Sequence, residues 1–206
     1  KMNIVKVNDY IVQFEFIEDE KQPTYITNIT ALVDEKRAFI IDTGYYHHAG
    51  ELKKFLDAKG IKAEIVAFSH FHPDHIYGGK EFRGSKFIGR RHYKRNVEYF
   101  RDSHPENEFV IPEILVDEKY DIQFGTHEIS FIHMPGHSEC TIITIIDEKI
   151  VYVADLVLNT TEGKTIIPYV CEGGSFQEHI ESLNKIMDLN CDIMLLAHGH
   201  YIKGNE

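Results

Sequence analysis

Apolar residues in the first half of the chain alternate with polar ones or form short runs. Such spacing predicts β-strands, which we place at DYIVQFEFI, TYITNITALV, RAFIID, AEIVAF and SKFIG. Between the third and fourth strands, Leu52, Phe55 and Leu56 recur at helical spacing, so a helix is predicted over 49–59, just before Gly60. A second, polar helix is predicted over about 90–101, with the basic segment GRRHYKRNVEYFR as its solvated face.

The second half of the chain continues this pattern after a Pro-containing acidic connection, DSHPENEFVIPE, which is typical of a loop. Two β-hairpins are predicted, at YDIQFGTHEISFIHM and CTIITIIDEKIVYVADLVL. Ser175 and Glu178 form a capping-box pattern at the start of a further helix. We predict that its buried face contains Ile180, Leu183, Ile186 and Met187. A strand, CDIMLLAHGH, follows.

The two halves resemble each other in one respect. In each half a strand ends in Asp (RAFIID, IVYVAD), a helix follows, and the next strand ends in His (AEIVAFSH, CDIMLLAH). This predicts an α/β protein with two similar β-rich halves facing each other, helices outside, and polar strand ends at one rim. No linker separates them, so we predict one domain over residues 1–206.

Composition and charge narrow the class of protein. The chain of 206 residues is 43% hydrophobic, which suits one domain with a full core. Its net charge of −11 argues against a nucleic-acid partner, which would require a basic face. No apolar stretch is long enough for a membrane span, and no signal peptide is apparent. Cys140, Cys171 and Cys191 are interpreted as reduced thiols, so we expect a cytoplasmic protein.

The segment SHFHPDH, directly after a predicted strand, concentrates three imidazoles and a carboxylate. His70 and His72 are two residues apart, so on an extended chain they point the same way and can bind one ion. Asp74 and His75 follow Pro73 and can face a second ion. Mixed nitrogen and oxygen ligands are typical of catalytic metal sites. The alternative, a His-rich solvent loop, does not explain this concentration.

Four motifs, together with an early one, resemble those of the metallo-β-lactamase superfamily. HFHPDH resembles its signature, MPGHSEC the second motif, VYVADLV the third and LLAHGH the last, all in the family's order. IIDTG resembles the family's early Asp motif. The resemblance extends from about Ile26 to His200. It implies a four-layer αββα sandwich of two mixed β-sheets with helices outside.

The resemblance also implies a set of site residues. The first metal would be bound by His70, His72 and His137, the second by Asp74, His75 and His198, and Asp155 would bridge the two. Asp42 would orient the metal-binding loop by hydrogen bonds. A bridging carboxylate suits two cations about 3.5–4 Å apart, because each oxygen can face one of them.

Some assignments stay open. His200 is an alternative to His198 as the last ligand, because AHGH offers both. The other histidines that we considered are not predicted to be ligands: His92, His104, His127, His133 and His179. Residues that could line a substrate pocket are Tyr45, Tyr46, His47, His48, Tyr77 and Cys171; solvated loops or buried side chains are the alternatives.

The implied function is a hydrolase with two zinc ions (iron or manganese as alternatives). In it, a bridging hydroxide cleaves a small ester, thioester, lactone or lactam, and Asp74 transfers a proton. The position of His75 is not Arg, and the last ligand is not Cys; both features argue against the antibiotic-hydrolysing branch. His72 is not acidic, unlike in the flavin-linked di-iron relatives. A mononuclear iron oxygenase acting on persulfides and a phosphodiesterase are the alternatives. The expected partner is a small-molecule substrate, and no oligomeric state is predicted.

Overall fold

The computed structural model describes residues 2–17, 26–103, 109–171 and 173–204, with the backbone alone for 101–103. The predicted strand residues Thr24 and Tyr25, and His104, lie outside the described residues. The strands are, in chain order, β1 (Met2–Lys6), β2 (Ile11–Ile17), β3 (Ile26–Asp34), β4 (Arg37–Ile41), β5 (Lys62–Ala67), β6 (Lys86–Arg90), β7 (Ile114–Val116), β8 (Lys119–Phe124), β9 (His127–His133), β10 (Ile142–Ile146), β11 (Ile150–Tyr152), β12 (Leu158–Asn159), β13 (Thr165–Ile166), β14 (Ile193–Leu195) and β15 (Ile202–Lys203). The helices are α1 (Tyr46–Ala58), α2 (Pro73–Ile76), α3 (Lys94–Ser103) and α4 (Phe176–Met187), with 3-10 turns at Tyr77–Phe82 and Ala154–Leu156.

Two mixed sheets contain most of the strands. In the first, β1 to β7 lie side by side in chain order, antiparallel up to β4 and parallel from β4 to β7. The second has the order β15-β14-β11-β10-β9-β8, and only β11 and β14 are parallel. Strands β12 and β13 form a separate two-stranded ribbon.

Alternation along each strand divides its side chains between two layers. On β4, Phe39 and Ile41 belong to the core between the sheets, whereas Ala38 and Ile40 pack outward together with Leu52 of α1. The outer face of the second sheet packs against α4 in the same way. Since a helix covers the outside of each sheet, the predicted four-layer αββα sandwich is confirmed.

The resemblance between the halves has a structural counterpart. β4, α1 and β5 form one parallel βαβ unit, and β11, α4 and β14 form another. Asp42 and His70 follow the two strands of the first unit, and Asp155 and His198 follow those of the second. The carboxyl ends of parallel strands meet at one edge, so both units deliver polar residues to the same rim.

Two predicted helix boundaries are wrong. α1 begins at Tyr46 rather than at position 49, and the backbone N–H of Tyr45 donates to Nδ1 of His48 there (3.3 Å). α3 begins at Lys94 rather than at 90, because Arg90 still belongs to β6. Arg90 is buried and donates to the carbonyls of Val116 and Asp117 at 3.0 and 2.8 Å, so it is not part of a solvated helix face.

The buried face of α4 also differs from the prediction. Ile186 is buried, but Ile180 and Met187 are 60% and 80% exposed. Their expected places are taken by His179 and Ser182, which are 4% and 1% exposed. Both polar side chains hydrogen-bond to neighbouring loops, which compensates for their burial. Apolar spacing therefore placed Ile186 and the partly buried Leu183 correctly, but not Ile180 and Met187.

Across the described part of the chain, no helix combines the length and the apolar character that crossing a membrane requires.

Candidate metal centre

The histidine-rich segment leaves β5 and turns into the short helix α2. Pro73 takes the first position of α2, where its missing N–H is not needed. His70 and His75 are fully buried and His72 nearly so, whereas the Asp74 side chain keeps 23% of its surface exposed. The segment thus places three imidazoles inside the protein and one carboxylate at the opening.

Three imidazoles form a first ligand group. The ring nitrogens of His70, His72 and His137 lie within 4.8 Å of one another. Nε2 of His137 is 3.0 Å from Nδ1 of His72. His137 comes from the loop between β9 and β10, so two distant parts of the chain complete this group.

A second group contains one carboxylate and two imidazoles. Oδ2 of Asp74 lies 3.2 Å from Nε2 of His198 and 3.6 Å from Nε2 of His75. His198 follows β14 in the second sheet, whereas Asp74 and His75 follow β5 in the first. This group is therefore assembled across the two sheets.

Asp155 lies between the two groups and divides its oxygens between them. Its Oδ2 is 4.0 Å from Nε2 of His70 and 3.6 Å from Nε2 of His137. Its Oδ1 is 3.5 Å from Nε2 of His75 and 3.6 Å from Nε2 of His198. The residue before it, Ala154, has a φ of 52°, a strained value for a side chain with a Cβ. Strained backbone thus aims this carboxylate at the midpoint of the cluster.

Several buried atoms at the centre have no hydrogen-bond partner among the described residues. They are Nε2 of His70, Nε2 of His75 and Oδ1 of Asp155. Leaving such groups unpaired costs about 1–3 kcal/mol each, so native proteins rarely do it. All three are electron-pair donors when the imidazoles are neutral, and they converge on shared space. Bound cations would satisfy these atoms, so the donor set fits divalent metal ions.

Asp42 orients the second group through one carboxylate. Its Oδ2 is 2.8 Å from Nδ1 of His75 and accepts from the hydroxyls of Ser69 (2.7 Å) and Tyr152 (2.6 Å). Its Oδ1 accepts the backbone N–H of Ser69 at 2.7 Å. Partners of this kind orient a metal-binding imidazole and select its tautomer.

Two further imidazoles are oriented by backbone carbonyls. Nδ1 of His137 lies 2.6 Å from the carbonyl of Tyr169, and Nδ1 of His198 lies 3.1 Å from that of Ile26. A carbonyl only accepts, so Nδ1 must carry the proton in both rings. Each Nε2 is then left with a lone pair directed into the cluster, as metal binding requires.

The two groups differ in their affinity for protons. Burial lowers the pKa of His70 well below its usual value and that of His137 to about 4, and neighbouring imidazoles add to the effect at His70. Burial acts in the same direction on His75 and His198, but the carboxylates of Asp74 and Asp155 outweigh it and raise the pKa of both. His70 and His137 are therefore neutral near pH 7, whereas protons compete for His75 and His198.

His198, not His200, faces the cluster. The side chain of His200 is 57% exposed, and its Nδ1 pairs with the buried Glu15 at 2.8 Å. The described histidines that were not predicted to be ligands, His92, His127, His133 and His179, lie outside both groups; His127 contacts Asp147, and His133 contacts the backbone of Glu139. All seven predicted ligands are brought together.

The suggested pocket residues lie in different places. Tyr77 is 5% exposed and stacks on Tyr46, so it packs in the core, and His48 is buried against Phe16. Tyr45 and His47 are exposed. Cys171 is different, because it lines a cavity of about 600 Å3 with Arg95, Tyr99 and Val170.

That cavity adjoins the first ligand group. The backbone N–H of Cys171 donates to the carbonyl of His137 at 2.7 Å. On its other side, the ring of Phe100, next to Tyr99, lies 5.1 Å from that of His72. The cavity therefore lies close to the chain segments that carry His72 and His137.

Sequence reasoning missed Ser69, Tyr152 and Tyr169. Ser69 directly precedes the first histidine of the segment, and its hydroxyl can form hydrogen bonds. Its role could therefore have been predicted from the sequence. Tyr152 belongs to an apolar strand, and Tyr169 contributes only its backbone, so neither gives a signal in the sequence.

Comparisons with known proteins bear on the family and the fold. A family model described as the metallo-beta-lactamase superfamily matches residues 23–198. A comparison with curated protein sequences gives no match. Among solved structures, VMB-1 at pH 5.5 has a TM-score of 0.76 and 17% identity, covering 98% of this chain and 91% of that one.

Two further solved structures are similar. A metallo-beta-lactamase from Pontibacter korlensis has a TM-score of 0.77 and 14% identity, covering 98% of this chain and 94% of that one. An archaeal metallo-beta-lactamase superfamily protein, ST1585 from Sulfolobus tokodaii, has a TM-score of 0.72 and 18% identity, covering 94% and 81%. At such low identities, the structural similarity shows the fold and not the substrate. Because the family model spans most of the chain, the protein belongs to the metallo-beta-lactamase superfamily.

Proposed function

We propose that this protein is a hydrolase with two divalent metal ions that cleaves a small ester, thioester, lactone or lactam. One observation carries the proposal: Asp155 presents one oxygen to each of two ligand groups. A mononuclear site needs no such shared carboxylate. The arrangement therefore favours the two-ion hydrolase over the mononuclear oxygenase.

The proposed ligand assignment follows the two groups. His70, His72 and His137 would hold one ion, Asp74, His75 and His198 would hold the other, and Asp155 would offer one oxygen to each. Imidazole with carboxylate suits zinc, with iron and manganese as alternatives. When bound, two such ions lower the pKa of a shared water and polarise the oxygen of the scissile bond.

Asp74 is proposed as the proton-transferring residue. Its side chain is 23% exposed, whereas those of His75, Asp155 and His198 are 2%, 8% and 9% exposed. Burial opposes ionisation, but His75 and His198 outweigh it and lower the pKa of Asp74, so it is a carboxylate near neutral pH. An ionised carboxylate at the opening can accept a proton and release it to the leaving group.

The proposed substrate is a small molecule. The cavity lined by Arg95, Tyr99, Val170 and Cys171, of about 600 Å3, suits a ligand of that size. The net charge of −11 argues against nucleic acid as substrate. The solved structures include DIM-1 metallo-beta-lactamase exposed to ceftazidime, but at 16% identity that exposure concerns DIM-1.

A matched activity comparison tests the proposal. Zinc-loaded and chelator-treated protein are assayed on a panel of thioesters, lactones and β-lactams, together with Asp155→Asn. Asp9→Asn is the control, because that side chain is 96% exposed and belongs to neither ligand group. We expect hydrolysis of at least one class by the zinc-loaded wild type and Asp9→Asn, and loss in the other two samples. Equal rates in loaded and chelated protein would refute the metal-dependent hydrolase.

A further inference from the structure

Helix α4 buries two polar side chains against the loops that carry His137 and Asp155. His179 and Ser182 are 4% and 1% exposed and lie three residues apart, on one face of the helix. On the same helix, the apolar Ile180 is 60% exposed. An amphipathic helix normally buries its apolar residues. The burial of His179 and Ser182, with Ile180 left exposed, therefore indicates a specific role for the two polar side chains.

Ser182 contacts the loop of His137. Its hydroxyl donates to the carbonyl of Pro135, two residues before His137, at 2.6 Å. Gly136 lies between them, and a Cβ there would come within 2.4 Å of Cα of His179. Only glycine permits this approach, so the loop is held closely against α4.

His179 contacts the turn of Asp155. Its Nε2 lies 3.0 Å from the carbonyl of Leu156, the residue after Asp155, and must be the donor because a carbonyl only accepts. Its buried Nδ1, which is an acceptor when Nε2 carries the proton, has no partner among the described residues, so Leu156 is the hydrogen-bond partner of this ring. Ala154, just before Asp155, has a strained backbone conformation. The hydrogen bond therefore helps to keep the turn in a conformation from which the backbone alone would relax.

We infer that His179 and Ser182 are positioning residues for the metal centre: through them α4 fixes the distance between the His137 loop and the Asp155 turn. Neither side chain touches the ligand cluster, so both act through backbone carbonyls. The inference rests on the proposed function, since it assumes that His137 and Asp155 bind metal.

Matched pairs of variants separate hydrogen bonding from packing. His179→Gln keeps a donor near the position of Nε2, whereas His179→Met has a similar shape and no donor. Ser182→Ala removes one oxygen. Ile180→Ala, on the exposed face between them, is the control.

The readouts are zinc affinity, by competition with a chromophoric chelator, and the absorption spectrum of the cobalt-substituted protein. We expect His179→Met and Ser182→Ala to lose about 10–100-fold in zinc affinity, the range for partners that orient ligands, and to alter the cobalt spectrum. His179→Gln should restore affinity to within about threefold of wild type, and Ile180→Ala should match it. Circular dichroism of the metal-free variants reports on folding; if His179→Met does not fold, Ser182→Ala carries the test.

Wild-type affinity and spectrum in folded His179→Met and Ser182→Ala would overturn the inference. Equal losses in His179→Gln and His179→Met would also overturn it, because the donor would then not matter. Both results leave the proposed function intact. Wild-type protein that takes up neither zinc nor cobalt would instead overturn the proposed function, and with it the positioning role.

Discussion

The hydroxyl of Tyr152, at the end of β11, donates a hydrogen bond of 2.6 Å to Oδ2 of Asp42, directly after β4. This bond joins the two sheets at the rim where the candidate ligands gather. Both side chains are fully buried. Burial, followed by the charge of Asp42, raises the pKa of Tyr152 well above its usual value, so the phenol stays protonated and remains a donor.

Removing this donor should weaken both the fold and the second ligand group. We expect Tyr152→Phe to lower the free energy of unfolding of the metal-free protein by about 1–3 kcal/mol, because a buried carboxylate loses a partner. Urea unfolding measures the change, and Tyr120→Phe, at a partly exposed tyrosine of β8, is the control. An unchanged unfolding free energy in Tyr152→Phe would show that the bond contributes nothing.

Acidification should remove the two ions separately. A raised pKa means that His75 and His198 hold protons to higher pH, so protons displace their ion as the pH falls. The lowered pKa values of His70 and His137 delay the same competition in the first group to more acidic pH. Metal content after dialysis between pH 8 and pH 4 should therefore fall in two steps. Loss of both ions in one step would contradict the assigned difference between the groups.

The motif LLAHGH contains two histidines, His198 and His200, whose variants can be compared directly. We expect His198→Ala to bind one ion fewer per chain and to lose activity, because its Nε2 faces Asp74 and Asp155. His200→Ala should keep full metal content, because that side chain points to Glu15 and solvent. Elemental analysis of both variants shows which of the two histidines binds metal. Full occupancy in His198→Ala, with loss in His200→Ala, would reverse the assignment.

The cavity beside the first group should control substrate binding and not metal binding. Val170→Trp would fill part of the volume of about 600 Å3 next to Cys171. For a substrate found in the panel, we expect KM to rise about tenfold or more, a loss of about 1.4 kcal/mol in binding, with an unchanged zinc content. Lys119→Trp, on the exposed β8 edge, is the control for surface bulk. An unchanged KM would place the substrate elsewhere.

Sequence alone could predict the cluster of candidate ligands because its members are concentrated in short motifs. Four candidate ligands lie within six positions, from His70 to His75, and His137, Asp155 and His198 each lie in a motif that resembles the family's. The two sheets could likewise be predicted from alternation, because one face of each strand is buried between them. These features are local, so a single pass along the chain can find them.

The supporting residues could not be predicted, for a physical reason. Tyr152, His179 and Ser182 act across the fold, on partners that lie between 23 and 110 residues away. Their roles depend on how helices and sheets pack, which spacing within one element does not encode. The prediction for α4 was wrong at Ile180 and Met187 for the same reason: apolar spacing favoured these two residues, whereas the polar residues of the buried face are stabilised by distant carbonyls.

The number and kind of metal ions per chain test the central claim most directly. Protein purified without chelators is measured by elemental mass spectrometry, with Asp155→Asn alongside. The two-group geometry predicts about two zinc ions per chain in the wild type and fewer in the variant. One iron per chain would favour oxygen chemistry at a mononuclear site. No bound metal, with none taken up on titration, would contradict the account.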